Sequence, residues 1–374
     1  MDTQLLKMTG RPEDDDTLEH AAELLDSGQL IAVPTETVYG IAASVTAGGI
    51  DNLELLKNDR DANKHYSIHL TGPSSIREFV PKINLRSYKL IYNILPGPVT
   101  LIFDVDDDHI EERRRSLGSK AVDTLYKNNT VGVRCPHNST TSRLLAYTET
   151  PIIATSANPT DSEPATSAEE VMEYFNGKIA AVIDAGACRY KVSSTVVKLT
   201  DFVPSILREG SITREEIIRK SRLHVMFVCS GNTCRSPMAA GFCRKILAGK
   251  IGCDVDQLLD FGYKISSGGV MAPVAQPASP GCVAVCSEAG VDLSRHETTG
   301  LTESDIMKCD LIYVMTARDR QRITDFYPAI SPKCRLLSEK QNIEDPIGGE
   351  MSEYRHCATQ IIRALEKRIV ELEL

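Results

Sequence analysis

The segment from Cys229 to Pro237 (CSGNTCRSP) places a thiol beside a turn that can bind an anion. A short apolar stretch before it predicts a strand, and the residues after it suit a helix. Ser236 matches a helix N-cap, and Gly231 permits unusual backbone angles and close approach of a ligand. Free N–H groups and the dipole at a helix N-terminus favour a dianion and lower the pKa of a thiol. We therefore expect Cys229 to be a nucleophile in phosphoryl transfer.

Two further residues complete this chemistry. Arg235 provides a planar, permanently charged fork for two phosphate oxygens. Transfer through a cysteinyl-phosphate also needs a proton for the leaving group, which a carboxylic acid can supply. Asp345 is the candidate acid because Pro346 restricts its backbone within a glycine-rich turn, 343–349.

The composition restricts the class of protein. The 374 residues carry a formal net charge of −9, include 42% hydrophobic residues and contain no tryptophan. These values fit buried cores, exclude wholesale disorder and argue against non-specific coating of nucleic acid. No run of about 18 apolar residues predicts a membrane span, and the acidic N-terminus is unlike a secretory signal. We therefore expect a cytoplasmic protein that does not contact a membrane.

The cysteines fit the same expectation. There are 11, an odd number, and their spacing matches neither a disulfide framework nor a zinc site. We therefore predict no metal site, and we expect most of the thiols to be small buried residues.

Strand and helix patterns alternate along the chain and predict an α/β fold. Residues 104–128 carry many charges of both signs, which predicts a solvated insertion. A turn and a short charged helix at 209–222 mark a boundary between two domains, residues 1–212 and 222–374. Beyond this boundary helices alternate with short apolar strands, which predicts a parallel sheet.

The C-terminal domain resembles the low-molecular-weight protein tyrosine phosphatase family over residues 223–372. The family's motifs occur in order: CSGNTCRSP at 229–237, SSGG at 266–269, DLSRH at 292–296, DLIYVM at 310–315 and Asp345 followed by proline. The resemblance implies a doubly wound parallel sheet, no cofactor, and hydrolysis of a phosphoprotein. It also implies that Cys229 is the nucleophile, that Arg235 binds phosphate, and that Asp345 is the general acid and then the base.

The resemblance also implies supporting roles around the loop. Ser236 would hydrogen-bond the thiolate, and Asn232 would hold the loop through Ser236, Ser267 and His296. The simpler alternatives are a turn residue at Asn232 and a surface or satisfied polar residue at His296. The loop itself comprises Ser230, Gly231, Asn232, Thr233 and Cys234.

Two features of this domain leave alternatives open. Cys234 could form a reversible disulfide with Cys229 or have a purely structural role. Tyrosine-specific family members carry aromatic residues after the Asp-Pro pair, whereas this chain has Ile347 and Gly348. Thr233 and the Asp-Pro-x-Gly-Gly form resemble the bacterial protein-arginine phosphatases. The sequence thus slightly favours phosphoarginine over phosphotyrosine.

The N-terminal domain has no Walker loop and no GxGxxG, so composition alone indicates only an α/β domain able to hold an anion. Its motifs resemble the YrdC/Sua5 threonylcarbamoyl-AMP synthases, and they span nearly the whole domain in family order. They are VPTETVYG at 33–40, LPGPVT at 95–100, VGVRCP at 131–136, TSAN at 155–158, SSTVV at 193–197 and LREG at 207–210.

This second resemblance implies a twisted α/β domain that condenses L-threonine, bicarbonate and ATP, with Mg²⁺, into threonylcarbamoyl-AMP for the t6A modification of tRNA. Positioning and charge neutralisation carry such chemistry. The implied partners include a tRNA or proteins that transfer the group onto it. The residues implied for threonine are Thr35, His69 and Ser194, those implied for ATP are Arg60, Lys64, Thr130, Ser156, Asn158 and Arg208, and Arg134 would lie between the two sites.

One segment departs from the synthase family. The family carries a Lys-x-Arg pair, but here Asn58 stands where the lysine is expected and Lys57 is one residue away. An irregular helix end could let Lys57 reach the site; otherwise the synthase would be slow or lost.

The leading hypothesis is a bifunctional enzyme. In the first alternative only the phosphatase is an enzyme, and the N-terminal domain is a nucleotide- or RNA-binding module. In the second, the phosphatase loop is a redox switch or a phosphate-binding site without turnover.

Overall fold

The computed structural model describes residues 2–11, 14–58, 66–199 and 202–372. The chain divides into two compact units, one of residues 1–83 and 87–220, the other of residues 84–86 and 221–374. Both combine helices with a sheet, which confirms the α/β prediction. Within the described residues, no helix is both long and apolar enough to cross a membrane.

The N-terminal unit is built on a mixed sheet that contains ten strands within the described residues. Their order across the sheet is β1-β8-β2-β3-β7-β4-β6-β5-β9-β10. The pairs β1–β8, β2–β8, β4–β6 and β5–β9 are parallel, and the others are antiparallel. The strands are β1 (Gln4–Lys7), β2 (Ile31–Val33), β3 (Gly40–Ser44), β4 (Ser67–His69), β5 (Val99–Asp104), β6 (Thr130–Arg134), β7 (Ile152–Ser156), β8 (Ala181–Asp184), β9 (Thr195–Leu199) and β10 (Ser205–Arg208).

Both faces of this sheet are buried where β2, β3, β7 and β8 meet. Ile31 and Val33 pack into one apolar cluster, whereas Ala32 between them packs into another. Successive side chains of a strand point to opposite faces, so helices must cover both sides. The helices are α1 (Asp15–Asp26), α2 (Ala47–Leu56), α3 (Ile76–Phe79), α4 (Leu85–Ile94), α5 (Asp107–Leu117), α6 (Ser119–Leu125), α7 (Ser139–Tyr147), α8 (Ala168–Phe175) and α9 (Arg214–Ser221).

The charged segment 104–128 differs from its prediction as a solvated insertion. It forms α5 and α6, which meet at Gly118, a residue with φ +84°. Ile110 on α5 and Leu125 on α6 are buried in the core of the unit. The charged faces of both helices are exposed. The high charge content of the segment therefore did not indicate that it forms two amphipathic helices.

The C-terminal unit has a parallel sheet of four strands in its described part, which confirms the predicted parallel topology. The strand order is β12-β11-β13-β14: the chain adds β12 on one side of β11, and β13 and β14 on the other. The C-terminal end of β11 is therefore a topological switch point, where ligands of such sheets bind. The strands are β11 (Leu223–Cys229), β12 (Tyr263–Gly269), β13 (Leu311–Val314) and β14 (Cys334–Leu336). The helices are α10 (Arg235–Ile251), α11 (Pro280–Glu288), α12 (Glu303–Lys308), α13 (Ala317–Phe326) and α14 (Met351–Arg368).

Candidate active sites

The loop 230–234 joins the C-terminal end of β11 to the first turn of α10, as the sequence predicts. Cys229 is the last residue of the strand and is only 2% exposed. Its Sγ accepts the N–H of Asn232 at 3.2 Å and lies 3.0 Å from Ser236 Oγ. The sulfur therefore lies within hydrogen-bond distance of a main-chain N–H and a hydroxyl at a helix N-terminus, where a bound anion is stabilised.

The position of Ser236 corrects one expectation. The N-cap of α10 is Cys234, without a side-chain cap, and Ser236 lies inside the first turn. Because its hydroxyl does not cap the helix, it is available to the Cys229 sulfur. The same hydroxyl lies 3.2 Å from the carbonyl oxygen of Gly268.

The unusual backbone angle falls on Asn232 and not on Gly231. Asn232 has φ +56°, whereas Gly231 is not among the residues with positive φ. Asparagine tolerates the left-handed region better than most residues with a side chain. The unusual angle expected at Gly231 therefore falls on its neighbour Asn232, whereas the close approach of a ligand at Gly231 stays a prediction.

The Asn232 side chain is buried and makes three hydrogen bonds. Its Nδ2 donates to Ser236 Oγ at 2.9 Å and to Ser267 Oγ at 3.0 Å, and its Oδ1 accepts the N–H of Thr299 at 2.9 Å. Its main-chain oxygen lies 2.8 Å from His296 Nε2. The structure thus brings together the four residues that the resemblance grouped, and it adds Thr299, which no motif indicated.

Arg235 is buried at the start of α10 and meets the predicted acid. Its Nη2 lies 2.5 Å from Asp345 Oδ2, and its Nη1 donates to the main-chain oxygen of Ile343 at 3.4 Å. The Nε atom is buried and has no acceptor among the described residues. One edge of the guanidinium therefore retains a donor for an anion.

The remaining loop residues contact neighbouring elements. The Sγ of Cys234 lies 3.0 Å from Ser279 Oγ, and burial raises the pKa of this thiol. The Thr233 carbonyl accepts the Ser279 N–H at 3.0 Å. Ser230 Oγ donates to Asp319 Oδ1 at 3.0 Å, a contact that the sequence did not indicate.

All eleven cysteines are free, and ten of them are buried; Cys253 is partly exposed. This confirms the expectation that most of the thiols are small buried residues. Burial raises the pKa of Cys135 and of Cys243 to about 12, so neither is a candidate nucleophile.

The N-terminal unit contains a cavity of about 540 Å³. It lies across β3, β4, β5, β6, β7, β9 and β10, with the loops at their ends. Residues that the sequence analysis did not select also line it, among them Tyr66 and Thr100. Six of the predicted ligand residues line this cavity: Thr35, His69, Arg134, Ser156, Ser194 and Arg208.

Arg134, at the end of β6, is held by a buried carboxylate and two hydroxyls. Its Nη2 lies 2.9 Å from Glu36 Oε1, 2.7 Å from Thr37 Oγ1 and 3.2 Å from Thr35 Oγ1. Glu36 Oε2 also accepts the N–H of His137 at 2.9 Å. Glu36 lies within the 33–40 motif but was not selected as a site residue. The Arg134 Nε is buried without an acceptor among the described residues.

His69 is neutral in this cavity. Burial and the nearby Arg134 charge lower the pKa of its imidazole to about 3, and its Nδ1–H donates to the Ser67 carbonyl at 3.2 Å. On the next wall, Arg208 Nη2 donates to the Ser194 carbonyl at 2.8 Å. The cavity thus combines fixed cations with neutral donors.

The other predicted ATP residues are more dispersed. Lys57, at the end of α2, donates from Nζ to the carbonyls of Ser156, at 2.9 Å, and Asn158. Thr130 lies at the opposite end of β6 from Arg134 and does not line the cavity. A rise of four residues along an extended strand separates the two by about 13 Å. Arg60 and Lys64, which are also predicted to line the ATP site, lie outside the described residues.

Comparison with known families assigns a class to each unit. Residues 23–210 match the Sua5–YciO–YrdC family model, described as "Telomere recombination", and residues 224–373 match the "Low molecular weight phosphotyrosine protein phosphatase" model. The chain therefore belongs to the Sua5/YrdC family through its first unit and to the low molecular weight phosphatase family through its second. Both are enzyme families.

Individual relatives cover different parts of the chain. A threonylcarbamoyl-AMP synthase of Pyrococcus abyssi is 32% identical over 58% of this chain and 62% of the relative. A "Probable low molecular weight protein-tyrosine-phosphatase EpsP" of Ralstonia nicotianae is 31% identical over 38% of this chain and 90% of the relative. The chain therefore spans less than two thirds of that synthase. The solved structure of a doubly substituted Sua5 from P. abyssi has a TM-score of 0.51 at 20% identity over 97% of each chain, a likeness of fold.

Proposed function

We propose that the chain is a bifunctional enzyme: residues 1–212 form threonylcarbamoyl-AMP, and residues 222–374 dephosphorylate a phosphoprotein. The Cys229 sulfur, which faces the Asn232 N–H and the Ser236 hydroxyl beside the buried Arg235, is the observation that carries the phosphatase assignment. The cavity of about 540 Å³ that six predicted ligand residues line supports the synthase.

In the phosphatase reaction the Cys229 thiolate attacks phosphorus and forms the sulfur–phosphorus bond while the bond to the leaving group breaks. Asp345 donates its proton to that leaving group and then accepts a proton from the water that hydrolyses the cysteinyl-phosphate. Arg235 neutralises the phosphoryl oxygens. Its buried Nε, which has no acceptor among the described residues, supports this role. When substrate binds, Nη2 would exchange the Asp345 carboxylate for a phosphoryl oxygen, which leaves Asp345 to serve the leaving group.

For the substrate we favour phosphoarginine over phosphotyrosine. Ile347, two residues after the acid and 58% exposed, offers no aromatic surface for a phenyl ring. Thr233 supports the choice through its resemblance to the arginine phosphatases. The test is hydrolysis of matched phosphoarginine and phosphotyrosine peptides by the full chain. Equal rates would contradict the choice, and a Thr233→Val variant measures what the hydroxyl contributes.

In the synthase reaction the carbamate formed from threonine and bicarbonate attacks the α-phosphorus of ATP, and pyrophosphate leaves. Arg134 would neutralise charge between the two substrates, and His69 and Ser194 would orient the threonine moiety. Mg²⁺ enters with ATP as part of the substrate complex. Lys57 takes the role of the lysine that the family carries at the position of Asn58. Its contacts with the Ser156 and Asn158 carbonyls support this.

Pyrophosphate release decides whether the N-terminal unit is catalytic. We expect release from the full chain only when threonine, bicarbonate and ATP are all present. An Arg134→Gln variant should lose it, whereas Cys229→Ser should keep it and lose all phosphatase activity. No release, together with binding of ATP or RNA, would favour the non-catalytic module instead. Full phosphatase activity of Cys229→Ser would contradict the nucleophile assignment.

We also propose a cytoplasmic location, because a free thiol nucleophile and an ATP-consuming reaction need a reducing compartment that supplies ATP. The product, threonylcarbamoyl-AMP, is an activated acyl donor. Its further partners would be a tRNA and the proteins that transfer the group to it.

A further inference from the structure

Ser230, the residue that follows the nucleophile, is bonded to a carboxyl group from a distant helix. Its Oγ donates to Asp319 Oδ1 at 3.0 Å. Asp319 lies in the first turn of α13, the helix after β13, and is only 2% exposed. A buried carboxyl group therefore reaches one side of the phosphate-binding loop.

Capping of α13 does not account for this contact. The N-cap of the helix is Thr316, whose hydroxyl accepts the Asp319 N–H at 3.1 Å and donates to Asp319 Oδ2 at 2.7 Å. These two bonds complete the cap and use one carboxyl oxygen. The other oxygen, Oδ1, is left to bond the loop.

The contact involves none of the partners of Asn232. Asn232, in the middle of the loop, is bonded to Ser267 and Thr299, whereas Ser230, at its start, is bonded by its side chain to Asp319 and by its carbonyl to the Met271 N–H at 2.9 Å. A cradle of N–H groups binds an anion well only when its peptides already point inward. The loop must therefore be held at both Ser230 and Asn232 before substrate arrives.

We infer that Asp319 is a positioning residue, which acts through Ser230 to hold the phosphate cradle in its binding shape. The inference rests on the proposed phosphatase function of this unit. The sequence around Asp319 gives no indication of the role, because the two residues are 89 positions apart.

The test compares inhibition of the full chain by inorganic phosphate with its turnover of para-nitrophenyl phosphate. We expect Ser230→Ala and Asp319→Ala each to raise the inhibition constant of phosphate about tenfold, since a hydrogen bond to a charged group is lost. The double variant should be no worse than either single one. Asp319→Asn, which keeps an acceptor for Ser230, should restore most of the affinity.

Thr316→Ala is the matched control. It removes the cap and the bond to Asp319 Oδ2 but leaves Oδ1 bonded to Ser230, so it should lower the melting temperature and change the inhibition constant much less than Asp319→Ala does. Additive effects of Ser230→Ala and Asp319→Ala, or an equal effect of Thr316→Ala, would overturn the inference. A wild-type chain that binds phosphate without turnover would contradict the proposed function instead, and phosphate binding to the same variants would still decide the role of Asp319.

Discussion

Replacing Asn232 with alanine should disable the phosphatase. The substitution removes three side-chain hydrogen bonds, of 2.9, 3.0 and 2.9 Å. At about 1 kcal/mol each, these contribute about 3 kcal/mol to the order of the loop. Alanine at φ +56° adds about 1 kcal/mol of backbone strain. If the ordered loop is required in the transition state, kcat/KM should fall about 100- to 1000-fold.

The Asn232→Gly variant separates the two contributions, because glycine loses the same hydrogen bonds without the strain. We expect it to be about fivefold more active than Asn232→Ala. The assay is kcat/KM of the full chain on para-nitrophenyl phosphate, with pyrophosphate release by the N-terminal unit as the internal control. A glycine variant that kept more than about a third of wild-type kcat/KM would refute the reasoning, because the hydrogen bonds would then contribute less than about 1 kcal/mol.

Three further predictions concern packing and charge. The pKa of His69 lies below its ordinary value of 6.5, so its stabilising effect is present above that pH and is lost as the pH falls towards 3. Between pH 7 and pH 5 the unfolding free energy of His69→Gln, measured in urea, should therefore fall by about 2 kcal/mol less than that of the wild type. Equal falls in the two proteins would contradict this. Glu36→Ala leaves the buried Arg134 charge without its carboxylate partner and should lower the unfolding free energy by about 3 kcal/mol. The change should appear as a lower urea midpoint, with phosphatase activity unchanged. Gly269→Ala places a Cβ 2.9 Å from the Ser230 carbonyl and should reduce kcat/KM for the phosphatase. Gly231→Ala is the control, because its Cβ meets nothing closer than 3.6 Å. Equal effects of the two substitutions would contradict this explanation.

Local sequence predicted the elements that carry the nucleophile. An apolar run ends at Cys229, and residues that favour a helix follow the loop. Together they define a strand, a loop and a helix within about 30 residues. Details of the loop did not follow from residue preferences. Serine before proline indicates an N-cap, yet Ser236 lies inside the helix, where its hydroxyl contacts the Cys229 sulfur.

The synthase cavity illustrates the opposite case. No periodicity or short motif in the N-terminal unit indicates a nucleotide site, and its residues were selected only through family resemblance. Glu36, which holds Arg134, is not among the residues that the resemblance implies, and an acidic residue beside a loop is by its type no sign of a buried ion pair. Its burial follows from a partner 98 positions away in the chain.

The sequence by itself determined the α/β class, the place of the thiol at the end of a strand, and the nearby arginine, since all of these depend on contacts within a few residues. The sequence also indicated Asp345 as the acid, but only the tertiary structure decided that it pairs with Arg235, 110 positions away, and that Asp319 bonds Ser230, 89 positions away. Such pairs form when strand order brings the ends of β11 and β13 and the turn after β14 to one edge of the sheet. Hydrophobic periodicity records which face of an element is buried, but it does not record which element lies beside it.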